Sequence, residues 1–571
     1  MFPVHPQAEI TALARALGIG LPTARILWSR DLRNPETAEP FLRPSLSGLH
    51  DPYSLMDMAK AASRLHEAVR RGEKILLYGD YDVDGTSSVV ILHTALQLAG
   101  AVVSYHVPHR IREGYGMRAD IVEQAAADGV QLIISVDTGI RAGEVVRHAQ
   151  ALGIEVIVTD HHLPDGELPP AHAVLNPNRQ DCTYPAKNLC GATVALKLAQ
   201  ALFAEMGWEP SRREKLLRSF LKLAAIATVA DVVPLTGENR IIVKHGLEGL
   251  RDPRNLGLQA LFSVAGLAVG DAPSARQVAF QIAPRINAAG RMDDARNVVE
   301  MFLTRDAERA GSLASALDVL NRERQETEAE IRDCILADCA KVEITDAQAG
   351  LVFSAAEWHQ GVIGIVAGRL VERYSRPVFV LSEDPVTGEA KGSGRSPACF
   401  HLLEAMESMP ELFLKFGGHR QAAGLTMRAE RIPEFRERFA AYAAERLGPE
   451  DLCPILEFDA EVSLDELDDC SAMEMLSLAP FGAGNPPPLI ALRQAEVIAV
   501  EVKNDKHLFL RLRHQGTIRQ VKGWGLAESA ERFQVGERVD AAVMVEEDAW
   551  GRARGGSPWC LILKEVRRCS S

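Results

Sequence analysis

The sequence predicts an α/β protein of several domains, built around a mostly parallel sheet. Short apolar strands alternate with helices from Lys74 onward, which is the pattern of successive βαβ units. A second α/β pattern starts at Ala349 and changes beyond about Leu452 to short alternating strands, typical of a small β-barrel. With 571 residues, the chain is long enough for three or four domains of about 150 residues each.

The first sheet is the clearest predicted element. Its strands are expected at 74–78, 102–107, 132–136 and 155–159, with helices at 86–98, 119–127 and 144–152 between them. Sites in parallel sheets form at the carboxyl ends of the strands. The polar residues that directly follow each strand are therefore the first candidates for function.

The remaining segments complete the predicted order of domains. Residues 1–50 are expected to be helical and peripheral, 216–229 to form an apolar helix, and 284–291 to form a polar loop. Between 301 and 345 there is no Pro and only one Gly, so we expect a bridging helix of roughly 60 Å, broken at most once. The predicted units are 1–50, 51–300, 301–345 (the long helix), 346–450 (the second α/β domain) and 451–571 (the barrel).

Composition excludes several classes of protein. The chain is 47% hydrophobic and 25% charged, unlike a disordered chain, a collagen or a coiled coil. We expect no membrane span and no signal peptide, and nine dispersed cysteines without a Cys-x-x-Cys pair fit a reducing cytoplasm. The net charge of −14 argues against a polyanionic partner unless a basic channel is local.

The densest chemical signal is the stretch GDYDVDG at 79–85. Asp80, Asp82 and Asp84 alternate directly after a predicted strand. Crowded carboxylates cost free energy unless a cation holds them. A calcium EF-hand loop opens similarly but needs a Glu at its twelfth position, where this chain has Ile91, and a preceding helix. A solvated acidic turn stays open as an alternative for this motif alone.

Further acidic and imidazole groups follow other predicted elements. Asp137 lies in SVDTG, Asp160-His161-His162 ends a third strand, and Asp231 follows an apolar helix in ATVADVVPL. A lone Asp at a strand end often caps the next helix, and paired histidines can be ordinary loop residues. Together, however, several of these groups fall at the carboxyl ends of strands in one sheet, where they can converge. Such oxygen and imidazole ligands suit Mn²⁺ or Mg²⁺, and their number suits two ions about 4 Å apart that drive phosphoryl displacement.

These motifs, in this order, resemble the successive motifs of the DHH phosphoesterase superfamily. Later stretches narrow the resemblance to its bacterial single-strand-specific exonucleases: PRINAAGRM (284–292), WHQGVIGIVAGRL (358–370), GSGRS (392–396), FGGHRQAAG (416–424) and LAPFGAGNPPP (478–488). The resemblance runs from about Ser54 nearly to the end of the sequence. It implies a parallel-sheet DHH domain, a second α/β domain joined by the long helix, and a C-terminal OB-fold β-barrel.

The resemblance also implies roles around the metals. The metal ligands would be Asp80, Asp82, Asp84, Asp137, His161 and Asp231, with Asp137 bridging the two ions. His162 would contact the scissile phosphate, and Asp160 would orient the histidine pair.

Substrate contacts follow from the same resemblance. Arg110, Ser393 and Arg395 would hold a 5′-terminal phosphate, and Gly392 and Gly394 would let the backbone approach it. Further candidates are Arg285, Asn287, Arg291, His359 and His419 in the cleft, and Arg511, Arg513, Lys522 and Trp524 on the barrel. The alternatives are a surface salt bridge for Arg110, a buried histidine at His419 and solvated arginines on an amphipathic barrel strand.

The implied function is a cytoplasmic exonuclease that digests single-stranded DNA from the 5′ end and releases mononucleotides. It would use two Mn²⁺ or Mg²⁺ ions and act as a monomer in DNA repair and recombination, with a helicase and a single-strand-binding protein as partners and no membrane. The residue chemistry alone supports metal-dependent phosphoester hydrolysis. Two alternatives are a phosphoesterase for oligoribonucleotides or nucleoside bisphosphates, which the barrel argues against, and a non-catalytic DNA scaffold, which the intact carboxylates argue against.

Overall fold

The structure, a computed structural model, describes residues 5–110, 112–114, 116–339, 348–453 and 455–569. Within these ranges it contains three sheets, which follow one another along the chain. The first two belong to α/β domains, and the third closes into a barrel. The predicted fold class is confirmed.

The elements of the first half are as follows. The N-terminal helices are α1 (Gln7–Leu17), α2 (Leu21–Ser29) and α3 (Pro35–Leu42). The strands of the first domain are β1 (Lys74–Tyr78), β2 (Val102–His106), β3 (Leu132–Val136), β4 (Glu155–Thr159) and β5 (Ala173–Leu175). Its helices are α4 (Met58–Arg71), α5 (Val83–Leu98), α6 (Ala119–Ala127), α7 (Gly143–Ala151), α8 (Gly191–Glu205), α9 (Pro210–Ala230), α10 (Gly237–Gly249), α11 (Leu256–Val264), α12 (Ala275–Gln277), α13 (Ala283–Met292) and α14 (Arg296–Leu303).

The first sheet is entirely parallel, in the order β2-β1-β3-β4-β5. Strand β3 is buried along its whole length, as expected for a sheet covered by helices on both faces. The chain places β2 on one side of β1 and then β3, β4 and β5 in turn on the other side. The direction in which strands are added therefore reverses between β1 and β3. The carboxyl edge at such a reversal is where ligands bind in parallel sheets.

A long helix, α15 (Ala307–Cys339), connects the first domain to the second. Its 33 residues span about 50 Å, shorter than the expected 60 Å, because the segment from Met301 belongs to the separate helix α14. Residues 340–345 of the predicted helix lie outside the described residues.

The second domain has a mixed sheet in the order β6-β7-β8-β10-β9, in which only β6 and β7 pair in parallel. Its elements are β6 (Leu351–Ala356), α16 (Ile363–Tyr374), β7 (Val378–Asp384), β8 (Glu389–Arg395), α17 (Leu402–Glu407), β9 (Phe413–Gly418), β10 (Ala422–Arg428) and α18 (Ile432–Ala444). Its core packs phenylalanines edge to face, with Phe379 against Phe435 and Phe439.

The third sheet closes into a five-stranded barrel because β12 pairs with both β13 and β15. Its elements are β11 (Ala460–Glu461), α19 (Asp469–Ser477), β12 (Ile490–Lys503), β13 (His507–His514), β14 (Thr517–Gly523), β15 (Arg538–Glu547), α20 (Ala549–Ala553) and β16 (Trp559–Arg568). The predicted alternation of β13 is confirmed, since Leu508, Leu510 and Leu512 all point into the barrel core.

Two expectations about the first half were wrong. Segment 284–291 is helical rather than a loop: Pro284 lies in the first turn of α13, where its missing N–H is tolerated. Gly290 is required there by packing, because a Cβ at this position would lie 2.5 Å from the carbonyl oxygen of Tyr81. The N-terminal helices are not peripheral, since Leu13 and Ile26 share one hydrophobic core with the barrel.

Arg240 ties these parts of the chain together from the first domain. Its buried guanidinium donates hydrogen bonds to the carbonyl oxygens of Phe41 (2.7 Å), Leu478 (2.9 Å) and Ala479 (3.1 Å). Burial lowers the pKa of Arg240 to about 10, and the charge of Arg30 adds to this effect. One side chain therefore joins the N-terminal helices, the first domain and the segment that leads into the barrel.

In the described ranges no single helix combines the length and apolar character needed to span a membrane. Helices α1 and α2 meet those two criteria only as a pair, and they are bent by 110° at the break between them.

Replacing Arg240 with Met should lower the free energy of unfolding by about 2–5 kcal/mol, because buried carbonyl oxygens lose their donors. The midpoint of urea unfolding measures this loss, and limited proteolysis should show earlier release of the N-terminal helices. Arg251→Met is the matched control, since Arg251 is exposed and its loss should cost no more than about 0.5 kcal/mol. Equal midpoints for the two variants would contradict the joining role.

Candidate metal centre and substrate cleft

Acidic and imidazole side chains meet at the carboxyl edge of the first sheet, where the strand order reverses. Asp80 follows β1, Asp137 follows β3, and Asp160-His161-His162 follows β4. Three sets of residues each bring one ligand atom per residue to within 4.8 Å of one another: Asp80, Asp82 and Asp137; Asp84, His161 and Asp231; and Asp137, His161 and His162. The sequence motifs thus converge, as their places after the strands predict.

One oxygen of each of the two innermost carboxylates has no hydrogen-bond partner among the described residues. Asp80 Oδ1 and Asp137 Oδ1 are buried and have no hydrogen bond, although His161 Nε2 lies 3.1 Å from Asp137 Oδ1. Burial raises the pKa of both groups well above the usual range. The Asp82 charge raises the pKa of Asp80 further, and the Asp84 and Asp82 charges raise that of Asp137. A divalent cation is held by buried, negatively charged oxygens whose lone pairs are not used in hydrogen bonds. This set of ligand oxygens therefore fits Mn²⁺ or Mg²⁺.

The N-terminus of α8 orients Asp84. The backbone amides of Gly191 and Ala192 donate to its two carboxylate oxygens at 2.6 and 2.7 Å. A helix N-terminus stabilises a negative charge at this position. Gly191 is also required by space, because a Cβ there would lie 2.6 Å from Asp137 Oδ1. Sequence reasoning missed Gly191, since only the approach of two distant segments reveals it.

Asp231 completes the cluster from another direction, at the C-terminal end of α9. Its Oδ2 lies 3.8 Å from His161 Nδ1. Burial raises the pKa of Asp231 to about 8, and the Asp84 and Asp82 charges contribute to the rise. A carboxylate at a helix C-terminus is unfavourable by itself. Its position here is consistent with a cation between it and the other carboxylates.

Asp160 holds His162 in place. Its buried Oδ1 accepts from the backbone amide of His161 at 2.7 Å and from His162 Nδ1 at 2.7 Å, and its Oδ2 accepts from the amide of Ile140 at 2.9 Å. Burial alone would raise the pKa of Asp160, but these hydrogen bonds outweigh it and lower that pKa. Burial alone would lower the pKa of His162, but its hydrogen bond to Asp160 and the charge of Asp160 outweigh burial and raise that pKa to about 9. In the metal-free protein this rise in pKa favours the protonated imidazole of His162 at neutral pH.

Two asparagines that the sequence analysis did not single out fix the backbone of the histidine pair. Asn176 Nδ2 donates to the carbonyl oxygen of His162 at 2.8 Å, and Asn178 Nδ2 donates to that of His161 at 2.5 Å. Both follow β5, the edge strand beside β4. Their position after a strand is the signal that could have revealed them.

A basic cavity of about 480 Å³ adjoins the cluster, between the first and second domains. The predicted residues Arg110, Ser393 and Arg395 line it, together with Arg291, Lys391 and Lys415. The Arg110 guanidinium lies 5.1 Å above the ring of Tyr81, which stands between Asp80 and Asp82 in the chain. Burial and then the Arg110 charge lower the pKa of Arg395, and the same two causes lower that of Arg291 to about 10. Cations crowded in this way suit an anionic ligand such as a phosphate.

Packing also requires the two glycines that are expected to let the backbone approach a phosphate. A Cβ on Gly394 would lie 2.6 Å from Phe379 Cζ, and one on Gly392 would lie 3.0 Å from Leu381 Cγ. Both glycines therefore face the core of the second domain, and the alternation of β8 turns Ser393 and Arg395 towards the cavity. Gly417 and Gly424 also line this cavity, and no neighbouring side chain occupies the space where their own side chains would be.

Two of the other residues expected in the cleft, Asn287 and Arg285, lie in different surroundings. Asn287 lies beside the cluster and accepts from the amide of Val83 at 3.2 Å, at the start of α5. Arg285 points away, donating to Asp318 Oδ1 on the long helix at 2.9 Å, so its expected place in the cleft was wrong. The reason is the helical path of 284–291, which places residues two apart on different faces.

The two remaining histidines lie near residues that line the cavities. His359 Nδ1 accepts from the amide of Gly361 at 3.2 Å, and the carbonyl oxygen of Gly361 accepts from Arg291 at 2.9 Å. His419 is exposed and lines a cavity of about 560 Å³ with Asp160 and His162. The alternative of a buried His419 therefore does not apply.

A groove of about 820 Å³ marks the outer face of the barrel, lined by Lys503, Phe509, Arg519, Lys522, Trp524 and Trp559, among others. Trp524 is 53% exposed and packs edge to face on Phe509, with ring centroids 5.9 Å apart. Arg511 and Arg513 lie on the same strand as Phe509, but Arg513 is paired with Glu496 at 2.7 Å. Basic and aromatic groups in one groove are typical of single-strand binding.

The chain matches known proteins over nearly its whole length. Three family models match in order: the DHH family N-terminal domain over residues 74–228, the DHHA1 domain over 348–445 and the RecJ OB domain over 458–555. The single-stranded-DNA-specific exonuclease RecJ of Bacillus subtilis (strain 168) is 37% identical over 551 residues, covering 96% of this chain and 68% of that protein.

Solved structures extend this similarity to the fold. The crystal structure of RecJ in complex with Mn²⁺ from Thermus thermophilus has a TM-score of 0.82 at 32% identity and covers 100% of this chain and 79% of that one. The structure of RecJ in complex with Mg²⁺ from the same organism has a TM-score of 0.77 at 30% identity, covering 100% of this chain and 78% of that one.

The metal-free protein should lose thermal stability as the pH rises from about 6 to 9. Burial raises the pKa of Asp231 to about 8, against 3.8 for an unperturbed carboxyl, and the hydrogen bond to Asp160 raises that of His162 to about 9, against 6.5 for a free imidazole. Both folded pKa values are raised, so each group stabilises the fold at low pH and that contribution is lost as the pH rises through the folded value. Thermal unfolding across this range, in the presence of a chelator, measures the effect.

Saturating Mn²⁺ should raise the unfolding temperature and flatten this pH dependence, because bound cations replace the protons that relieve carboxylate repulsion. The Asp231→Asn variant is the matched control, since it removes one of the groups with a raised pKa and should show a weaker pH dependence without metal. A melting temperature that rises with pH in the chelated wild-type protein would contradict this account of the cluster.

Proposed function

The chain belongs to the RecJ family of single-stranded-DNA-specific exonucleases, and on that premise we propose that it digests single-stranded DNA from the 5′ end and releases mononucleotides. The observation that carries the proposal is the basic cavity beside the carboxylate cluster. Arg110 joins the two, because it lines the cavity and also lies over Tyr81 in the metal-binding motif. A terminal phosphate and a scissile phosphodiester can thus be held at neighbouring sites.

The cluster supplies the hydrolytic chemistry of the proposal. Asp80, Asp82, Asp84, Asp137, His161 and Asp231 would hold two ions of Mn²⁺ or Mg²⁺. When bound, such ions lower the pKa of a coordinated water and stabilise the charge that develops on a phosphoryl group. Support for two ions comes from the separate donor sets around Asp80 and around Asp231, with Asp137 and His161 each belonging to two of the three sets.

Residues of the chain itself handle the phosphate. His162, kept cationic by Asp160, can donate a charged hydrogen bond to a non-bridging oxygen of the scissile group. Arg110 and Arg395 can hold the terminal phosphate with guanidinium forks, and the Ser393 hydroxyl can add a further donor. A pocket that accepts a phosphate monoester beside the cluster favours a 5′-phosphorylated end and so sets the 5′ to 3′ direction.

The wider setting of the activity is part of the same proposal. The barrel groove would hold the strand that enters the cleft through its aromatic and basic groups, with Trp524 as a stacking surface. We expect a monomer that acts in DNA repair and recombination, after a helicase has exposed single strands coated by a binding protein. All nine cysteines are free thiols in the structure, which is consistent with the cytoplasm as its compartment.

A single-stranded oligonucleotide, labelled separately at its two ends and incubated with Mn²⁺, tests the polarity. The 5′ label should leave at once as a mononucleotide, and the 3′-labelled strand should shorten stepwise. Asp137→Ala should release neither label, because it removes an oxygen ligand common to two donor sets. Binding of the oligonucleotide without release of either label from the wild-type protein would instead support a non-catalytic scaffold.

The phosphate pocket is tested in the same assay with 5′-phosphorylated and 5′-hydroxyl strands. Arg395→Ala should slow the phosphorylated substrate by about 10- to 150-fold, the range for lost hydrogen bonds to a charged group, and should hardly change the hydroxyl substrate. Arg428→Ala, an exposed arginine on β10 outside the cavity, is the matched control. An equal loss on both substrates would contradict recognition of a terminal phosphate here.

A further inference from the structure

A second cavity, of about 300 Å³, shares Arg291 as a lining residue with the phosphate cavity. Its walls are mainly apolar and come from the end of α9, the start of α13 and helix α16. Val232, Phe280 and Pro284 form its apolar surface, and Asn287 and Arg324 are among its polar lining residues. None of the proposed metal ligands lines this cavity.

The cavity is built from backbone that is unusual for this protein. Val232 has φ of +58° in a turn and is 70% exposed, although a β-branched residue is disfavoured in that region. Phe280 lies on a five-residue π-helical turn, Val278–Ile282, and is 63% exposed. Strained backbone and π-helical turns concentrate at functional sites, and a phenylalanine left in water forgoes the free energy of burial.

The cavity adjoins the reaction site through residues next to the metal-binding carboxylates. Val232 directly follows Asp231, and Asn287 accepts a hydrogen bond from the amide of Val83, between Asp82 and Asp84 in the chain. Arg291 lines this cavity as well as the phosphate cavity. A strand whose terminal phosphate lies in the first cavity and whose scissile phosphate lies at the cluster would place its next nucleotide here.

Arg324 provides a charge at the same place. It is buried on the long helix, where Nη1 donates to Glu328 at 2.8 Å and Nη2 donates to Asn321 at 2.9 Å. Its Nε is buried without a hydrogen-bond partner among the described residues. A buried donor on a cation, beside an apolar surface, suits a ligand that carries both a flat apolar group and a negative charge.

We infer that this cavity is the subsite for the nucleotide on the 3′ side of the scissile bond, with Phe280 stacked on its base and Arg324 facing the strand's phosphates. The inference rests on the proposed function and adds a residue that selects unpaired bases. A base inside a duplex already has both faces stacked and its edge paired, so it cannot stack on Phe280 without leaving the helix. Phe280 thereby favours single strands at the point of cleavage.

The test combines a protein variant with a substrate change. The rate of the first cleavage is measured for a 5′-phosphorylated oligonucleotide, intact or abasic at its second nucleotide, with the wild-type protein and with Phe280→Ala. Phe280→Ala should slow the intact strand by about 5- to 150-fold, the range for one lost base–aromatic stack. The abasic strand should be equally slow with both proteins, because it offers no base to stack. Phe280→Trp should restore the difference between the strands.

Two controls complete the design. Val269→Ala, which changes an equally exposed apolar residue outside the cavity, should behave like the wild-type protein on both strands. An abasic site far from the 5′ end should not reduce the effect of Phe280→Ala. If the wild-type protein digests the strand normally and Phe280→Ala slows intact and abasic strands by the same factor, the base-stacking role is overturned. If the wild-type protein releases no nucleotide at all, the proposed function fails first.

Discussion

The repulsion between buried carboxylates at one sheet edge is the constraint on which the rest of the structure depends. Asp80, Asp137 and Asp231 are held in positions where burial and like charges raise the pKa of each carboxyl. No single element could hold them there, so three strands, the N-terminus of α8 and the end of α9 each contribute one part. A cation relieves this repulsion, and the arrangement is therefore organised for metal binding at a cost to the stability of the metal-free fold.

The cationic groups around this cluster divide the cleft into successive sites. Arg110 and Arg395 line a basic cavity, which shares Arg291 as a lining residue with the apolar cavity that contains Phe280. The ends of the chain hold the domains around these sites, because the N-terminal helices share a core with the barrel and Arg240 fastens both to the first domain. A channel built from separate domains needs such a fixed frame if a flexible strand is to be positioned to within one nucleotide.

The local sequence pattern was enough to predict the first sheet. The features that it did not predict depend on packing between segments that are distant in the chain. Strand β1 and the carboxylates after it follow from apolar runs and motif spacing, which depend on neighbouring residues alone. Segment 284–291 was predicted as a loop because Pro and Gly usually end helices, but Gly290 is required by the close approach of Tyr81. Gly191 contacts Asp84 and Asp137, which are distant in the chain, and no local pattern reveals such contacts.

The central claim is that the carboxylate cluster holds the catalytic cations, and a direct titration tests it. Calorimetric titration of the metal-free protein with Mn²⁺ should show two equivalents bound by the wild-type protein. Asp137→Ala should bind fewer equivalents or bind them much more weakly, because the Asp137 side chain contributes to two of the three donor sets. Binding of Mn²⁺ by this variant with unchanged stoichiometry and affinity would contradict the account, since the ions would then lie elsewhere in the protein.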